Sequence, residues 1–144
     1  MGLLGFMKNV GEALFGKGKK EADAIRDLLV QQLGDRITDL QVEFKDSVVT
    51  LSGSCDSKAT KEKAVLLAGN VKGVSSVNDD KLAAPEEKEV TEFYTIQKGD
   101  TLSKIAKAYY GNAMKYPVIF EANREVIKDA NLIYPGQVIR IPKL

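Results

Sequence analysis

Residues 93–144 alternate between apolar stretches and glycine-centred turns, and this pattern constrains the fold more than any other part of the 144-residue chain. Tyr94 and Ile96 alternate with polar residues as in a half-buried strand, and Gly99-Asp100 supplies a turn directly after them. The hydroxyl of Thr101 can cap a helix there. Apolar residues then recur at the spacing of one helical face, at Leu102, Ile105, Ala106 and Tyr109. The pattern predicts a strand, a turn and a helix.

A second helix and a closing strand complete this segment. Gly111-Asn112 is a natural end for the first helix. Residues 113–122 are predicted as the second helix, with Asn123 at its end and with three inward residues, Tyr116, Ile119 and Phe120. Pro135-Gly136 makes a tight turn before a closing strand that contains Val138, Ile139 and Ile141. The predicted order is βααβ.

This order and its motifs closely resemble a LysM domain. The motifs are the GDTL turn at 99–102, the Ile-Ala of the first helix, Asn123, and the PGQVIRIP ending. The resemblance implies a shallow groove for glycans that contain N-acetylglucosamine, lined by Gly99, Asp100, Thr101 and Leu102 facing Asn131, Leu132 and Ile133. GDTL is equally a strand-to-helix cap and IYPG equally a turn, so a purely structural role for these residues stays open.

Residues 20–83 predict a second small domain. A helix with one apolar face ends at Gly34, and two alternating strands meet at an Asp46-Ser47 turn. Asp56 or Ser57 can cap a further helix that ends at Gly69-Asn70. A last strand is predicted through Val74 and Val77. The order is αββαβ.

This segment, with VVTLSGS followed by a helix and by VKGVSSVND, resembles a BON domain. The resemblance implies a binding or interaction module without catalytic residues. We therefore expect an α+β protein of two small domains. Its predicted parts are an N-terminal helical segment at 1–19, a BON-like domain at 20–83, an acidic linker at 84–92 and a LysM-like domain at 93–144.

Composition argues against an enzyme and against several partner classes. The chain has no histidine and one cysteine, Cys55, so it lacks the commonest acid–base catalyst and cannot form an internal disulfide. The formal net charge is +1, and no continuous basic run suggests a nucleic-acid partner.

The expected cellular location is predicted from the N-terminal sequence MGLLGFMKNVGEALFGKGKK. Gly5 and Lys8 interrupt its apolar stretch and no small-residue cleavage site follows, so it does not read as a signal peptide. No stretch approaches the roughly 20 apolar residues that span a bilayer. We expect a cytoplasmic monomer, which is awkward for a module that binds cell-wall glycan.

A leaderless chain that joins a BON-like to a LysM-like domain resembles a family of bacterial cytoplasmic potassium-binding proteins. The resemblance implies a sensor or buffer for K⁺ that becomes more compact when the ion binds. A large, weakly hydrated cation is well held by neutral oxygens such as backbone carbonyls, and these are free at helix ends and glycine bends.

Two segments fit that requirement together with the resemblance: the Gly69–Gly73 bend and the residues around Met7 and Gly11. The hypothesis is that one K⁺ is held by main-chain oxygens, with ligands drawn from Met7, Val10, Gly69 and Val71, with Glu12 and Val74 as further candidates. The competing interpretation is an N-terminal helix whose apolar stripe, Leu3, Met7, Val10 and Leu14, only packs on the fold.

Two other functions stay open at this stage. The LysM-like domain favours a protein that binds peptidoglycan. The apolar and basic N-terminus favours an amphipathic helix on a membrane or a partner, although its glycines lower its helical propensity.

Overall fold

The structure is a computed structural model that describes residues 3–11, 13–15, 20–86 and 91–143. The chain divides into two compact units, residues 1–87 and residues 88–144, which are described separately. No helix in these described ranges combines the length and the hydrophobicity that crossing a bilayer requires.

The N-terminal unit is a four-stranded sheet with two helices. Its elements are β1 (Leu3–Gly5), α1 (Glu21–Leu33), β2 (Ile37–Lys45), β3 (Val48–Cys55), α2 (Lys58–Gly69) and β4 (Ser76–Ala83). The strand order is β1-β4-β3-β2. β2 and β3 form an antiparallel hairpin, β3 and β4 are parallel and are connected through α2, and β1 lies antiparallel to β4. This is the αββαβ order predicted from the sequence, with one strand added at the N-terminus.

Local sequence explains the turns and caps of this unit. Asp46 and Ser47 have φ values of 51° and 64°, the left-handed pair that a two-residue hairpin turn needs. The Ser57 hydroxyl accepts a hydrogen bond from the Thr60 N–H at 3.1 Å, which satisfies an N–H of the first turn of α2. The core between helices and sheet is aliphatic, and its fully buried members include Ile25, Leu29, Val49, Leu51, Leu66, Val77 and Leu82.

The predicted N-terminal helix is wrong for the residues that the structure describes. Leu3–Gly5 form a strand whose Leu4 is opposite Val77, and none of the described residues from 3 to 15 is helical. Gly11 has a φ of +113°, outside the helical region. Glycine also lowers helical propensity, while the edge of β4 offers hydrogen bonds to an extended segment. The segment therefore forms a strand rather than a helix.

The C-terminal unit has the predicted βααβ order. It contains β5 (Thr91–Thr95), α3 (Leu102–Tyr110), a 3₁₀ helix (Ala113–Lys115), α4 (Tyr116–Ala122) and β6 (Val138–Pro142). β5 and β6 are antiparallel, with Tyr94 opposite Ile139. Its core contains Ile96, Leu102, Ile105, Ala106, Ile119, Ile127, Ile139 and Ile141. The predicted α+β class is therefore confirmed.

Three details differ from the sequence predictions. Tyr116 was expected inward but is 37% exposed, because α4 begins at this residue after the 3₁₀ turn. Tyr109 was placed on the apolar face of α3 but is 39% exposed, and its ring meets the edge of Tyr94 with 5.9 Å between centroids. Val74 lies before β4, which begins at Ser76.

Candidate functional site

The N-terminal strap, defined as residues 3–11, contains β1, which is an edge strand of the sheet in the first unit. Its β1 portion is opposite residues 76–78 of β4. The Phe6 N–H continues this pairing by donating to the Ser75 carbonyl at 2.8 Å. The strap therefore enters the neighbourhood of the chain that precedes β4.

That chain is the 69–74 loop, which begins at Gly69, the last residue of α2. The Asn70 N–H donates to the Leu66 carbonyl at 2.9 Å and the Val74 N–H to the Val71 carbonyl at 3.1 Å. Val71 and Val74 are fully buried, which anchors the loop in the core. The last carbonyls of a helix lack intrahelical partners and carry the negative end of its dipole, so this loop starts at an electronegative position.

The strap and the loop are in direct contact. The Gly73 N–H donates to the Lys8 carbonyl at 2.7 Å. A Cβ on Gly11 would overlap the carbonyl oxygen of Asn70 and lie 2.8 Å from its carbonyl carbon and 3.3 Å from the Lys72 nitrogen. Only glycine fits there, both because of this approach and because of its positive φ. The two segments singled out in the sequence are thus neighbours.

The proposed ligands differ in whether their carbonyl oxygens already accept a hydrogen bond. The Met7 carbonyl accepts from the Val10 N–H at 3.4 Å, and the Val71 carbonyl accepts from Val74. No residue within the described ranges donates to the carbonyls of Val10 or Gly69. A carbonyl has two lone pairs, so an oxygen with one hydrogen bond can still bind a cation. Glu12 lies outside the described residues.

Residues that sequence reasoning did not connect with this site also meet here. Phe6 lies on Gly69, since a Cβ at Gly69 would overlap three carbons of its ring. Phe15 lies against Gly73 and packs on Phe44 with 5.1 Å between ring centroids. Gly69 and Gly73 were singled out in the sequence because glycine allows a bend. That each glycine also leaves space for an aromatic ring was not predicted.

Acidic side chains do not form a metal site in the described portion of the molecule. There, no group of three or more His, Cys, Asp or Glu residues is placed to hold a metal ion. The adjacent acidic residues Asp79 and Asp80 lie inside β4. Burial raises the pKa of the Asp79 carboxyl, and the repulsion from Asp80 adds to this against the opposing effect of Lys61.

The predicted glycan-binding residues divide into exposed and structural groups. The exposed ones are Gly99, Thr101, Asn131 and Leu132, with Leu132 at 66% exposure. Leu102 is in the core, and Ile133 packs against that core. Asp100 is half-buried, and its carboxylate accepts from the Tyr94 hydroxyl and from the Gln97 N–H at 2.8 Å. The Thr101 hydroxyl accepts from the Lys104 N–H at 3.1 Å.

Comparisons with known protein families agree with the two units. The model of the BON domain family matches residues 21–84 and that of the LysM domain family matches residues 94–142. The two domain families predicted from the sequence are therefore confirmed.

Comparison with individual proteins finds relatives that align with part of this chain and one that aligns with nearly all of it. The chain is 40% identical over 104 residues to an uncharacterized protein of Deinococcus radiodurans, covering 65% of this chain and 40% of that protein. It is 42% identical over 55 residues to the osmotically-inducible protein Y of Escherichia coli strain K12, covering 38% of this chain and 27% of the relative.

A third relative aligns with this chain over nearly its whole length. The chain is 39% identical over 150 aligned residues to the potassium binding protein Kbp of Escherichia coli O6:H1, and the alignment covers 99% of both chains. The chain belongs to the family of the potassium binding protein Kbp, with a BON domain followed by a LysM domain.

Proposed function

We propose that this protein binds a potassium ion between the N-terminal strap and the 69–74 loop. The observation that carries the proposal is the direct seating of Gly11 on the Asn70 carbonyl, together with the hydrogen bond from Gly73 to Lys8. These contacts bring two stretches of irregular backbone together at the end of a helix. The name of the Kbp relative supports the same ion.

The proposed ligands are main-chain oxygens. Met7, Val10, Gly69 and Val71 supply them, with Glu12 and Val74 as further contributors. Potassium is weakly hydrated, and several neutral carbonyl oxygens can replace its water shell. Fixed carbonyls at the C-terminal end of α2 would add the favourable field of the helix dipole. The role is therefore binding rather than catalysis.

Calorimetric titration of the full chain in choline chloride tests this function. Potassium chloride is expected to give a saturable heat, with rubidium and caesium chlorides as probes of larger ions and sodium chloride as the smaller control. Absence of a saturable heat with potassium would contradict the proposal. Equal heats for sodium and potassium would contradict selectivity while leaving cation binding in place.

We further propose that the protein acts as a sensor or buffer and becomes more compact when the ion binds. A ligand shifts a conformational equilibrium only if it binds one state more tightly than the other. The proposal therefore requires tighter potassium binding in the more compact state. The cytoplasmic location and the monomeric state expected from the sequence stay predictions, and fractionation and sedimentation would check them.

A second candidate function is binding of a glycan that contains N-acetylglucosamine, through the LysM domain. The observation in its favour is the exposure of Gly99, Thr101, Asn131 and Leu132, residues that the family resemblance places along the glycan groove. A pull-down on purified cell wall tests it, with Leu132→Ala as the variant and Met114→Ala, another exposed apolar side chain, as the control. Retention of the wild type and the control but not of Leu132→Ala would support glycan binding.

A further inference from the structure

We propose that Phe6 is a positioning residue for the ion site and that its contact with Gly69 sets the potassium affinity. This inference rests on the proposed function. It concerns a side chain that supplies no ligand and acts only through the backbone that it holds.

The contact is close and specific. The Phe6 ring lies directly on the α-carbon of Gly69, where any Cβ would overlap its Cζ, Cε1 and Cε2 atoms. The Phe6 backbone is fixed as well, because its N–H donates to the Ser75 carbonyl at 2.8 Å. Ring and backbone together therefore determine where the strap leaves the edge of β4.

The position of this contact in the chain gives it a role beyond packing. Phe6 directly precedes Met7, the first proposed ligand, and its ring touches Gly69, whose own carbonyl is a proposed ligand from the other segment. One contact thus spans the two halves of the site. A displacement of the ring would shift the carbonyls of both halves relative to each other.

The Phe6 ring is one of a small number of contacts that hold the strap, so removing the ring should lower the fraction of molecules in which the strap is docked. Within the described residues, β1 pairs over three positions, Phe6 donates to Ser75, Lys8 accepts from Gly73, and Gly11 lies against Asn70. If ions bind only the docked form, the apparent dissociation constant equals the intrinsic one divided by the docked fraction. Removing the ring lowers that fraction and weakens binding by the same factor.

A double-mutant cycle on the full chain tests the inference, with potassium titrated calorimetrically in choline chloride. Phe6→Ala is expected to weaken binding by about tenfold, which corresponds to about 1.4 kcal/mol of binding free energy. Gly69→Ala should weaken it as well, because the new methyl group displaces the ring, although alanine favours the helix more than glycine does. In the Phe6→Ala background the Gly69→Ala change should cost little more. Phe6→Leu should lie between the wild type and Phe6→Ala.

Val42→Ala is the matched control, since Val42 is half-buried in β2 at the opposite edge of the sheet. It should lower the urea midpoint in choline chloride without changing potassium affinity. Unchanged affinity in Phe6→Ala, strictly additive losses in the cycle, or an equal loss in Val42→Ala would overturn the inference. If Phe6→Ala does not fold, unchanged affinity in Gly69→Ala overturns it instead. A wild type without potassium binding would contradict the proposed function itself.

Discussion

At the scale of single residues, buried polar groups show how this chain joins its elements. The Asn123 side chain is fully buried between α4 and β6. Its amide nitrogen donates to the carbonyls of Ile119 at 2.8 Å and Arg140 at 2.7 Å, and its oxygen accepts from the Arg140 N–H at 2.8 Å. One side chain therefore takes the place of a strand neighbour along β6.

Asn123→Ala should destabilise the LysM domain strongly. The change removes the side-chain amide that bonds the Arg140 N–H and the carbonyls of Ile119 and Arg140. Loss of a hydrogen bond to a buried polar group costs about 1–3 kcal/mol, so we expect a loss of about 3 kcal/mol in unfolding free energy. Urea unfolding followed by circular dichroism measures it. The control Asn131→Ala, on an exposed residue, should change stability by about 0.5 kcal/mol or less. Equal losses in the two variants would contradict a bonding role for Asn123.

The Tyr94 hydroxyl gives a pH dependence that can be measured. Its hydrogen bond to the Asp100 carboxylate, assisted by burial, raises the pKa of this phenol from 10.0 to about 12. The folded state therefore keeps a proton that the unfolded state releases at lower pH. The stabilisation is complete below pH 10 and is lost as the pH rises towards 12.

Urea midpoints across this alkaline range should fall more steeply in the wild type than in Tyr94→Phe, which has no phenol to titrate. Tyr116→Phe, on an exposed ring, serves as the control and should follow the wild type. The same slope in wild type and Tyr94→Phe would show that the hydrogen bond does not couple to folding.

At the scale of elements, the strap shows how tertiary pairing overrides local pattern. The apolar spacing of the first residues suggested a helix, but β1 takes the open edge of β4 and Gly11 bends the chain onto Asn70. Met7, expected in an apolar stripe, is 53% exposed. The element is therefore held by backbone pairing with β4 and by the Phe6 ring on Gly69, and neither contact produces a periodic pattern in the sequence.

Removal of residues 1–12 should abolish potassium binding while the rest of the BON domain stays folded. The deletion removes β1, Phe6 and Gly11 but leaves both helices and the β2–β3–β4 part of the sheet. Calorimetry with potassium measures binding, and urea unfolding in choline chloride verifies the fold. A truncated protein with the affinity of the full chain would place the ion elsewhere.

At the scale of the whole molecule, the expected response to the ion is compaction. Small-angle scattering of the full chain in potassium chloride should give a smaller radius of gyration than in sodium chloride at equal ionic strength. The Phe6→Ala variant is the control, because weaker binding should move its response to higher potassium concentration. Identical radii in both salts, at potassium concentrations that saturate the calorimetric signal, would contradict compaction.

The sequence by itself determined the local features of this protein. Thr101 and Ser57 cap helices as predicted, Gly111 ends α3 in a left-handed conformation, and both domain families follow from motifs that lie close together in the chain. Caps, turns and amphipathic faces depend on interactions within a few residues, so their pattern is visible without a structure.

Only the tertiary structure decided the pairing of β1 with β4, the seating of Gly11 on Asn70 and the contact of Phe6 with Gly69. These contacts join residues about 60 to 75 positions apart, and they depend on backbone pairing or on the absence of a side chain at a glycine. Neither leaves a periodic signal in the sequence. The candidate site was foreseen as two separate segments, and the fold brought them together because an open strand edge satisfied the backbone hydrogen bonds of the strap.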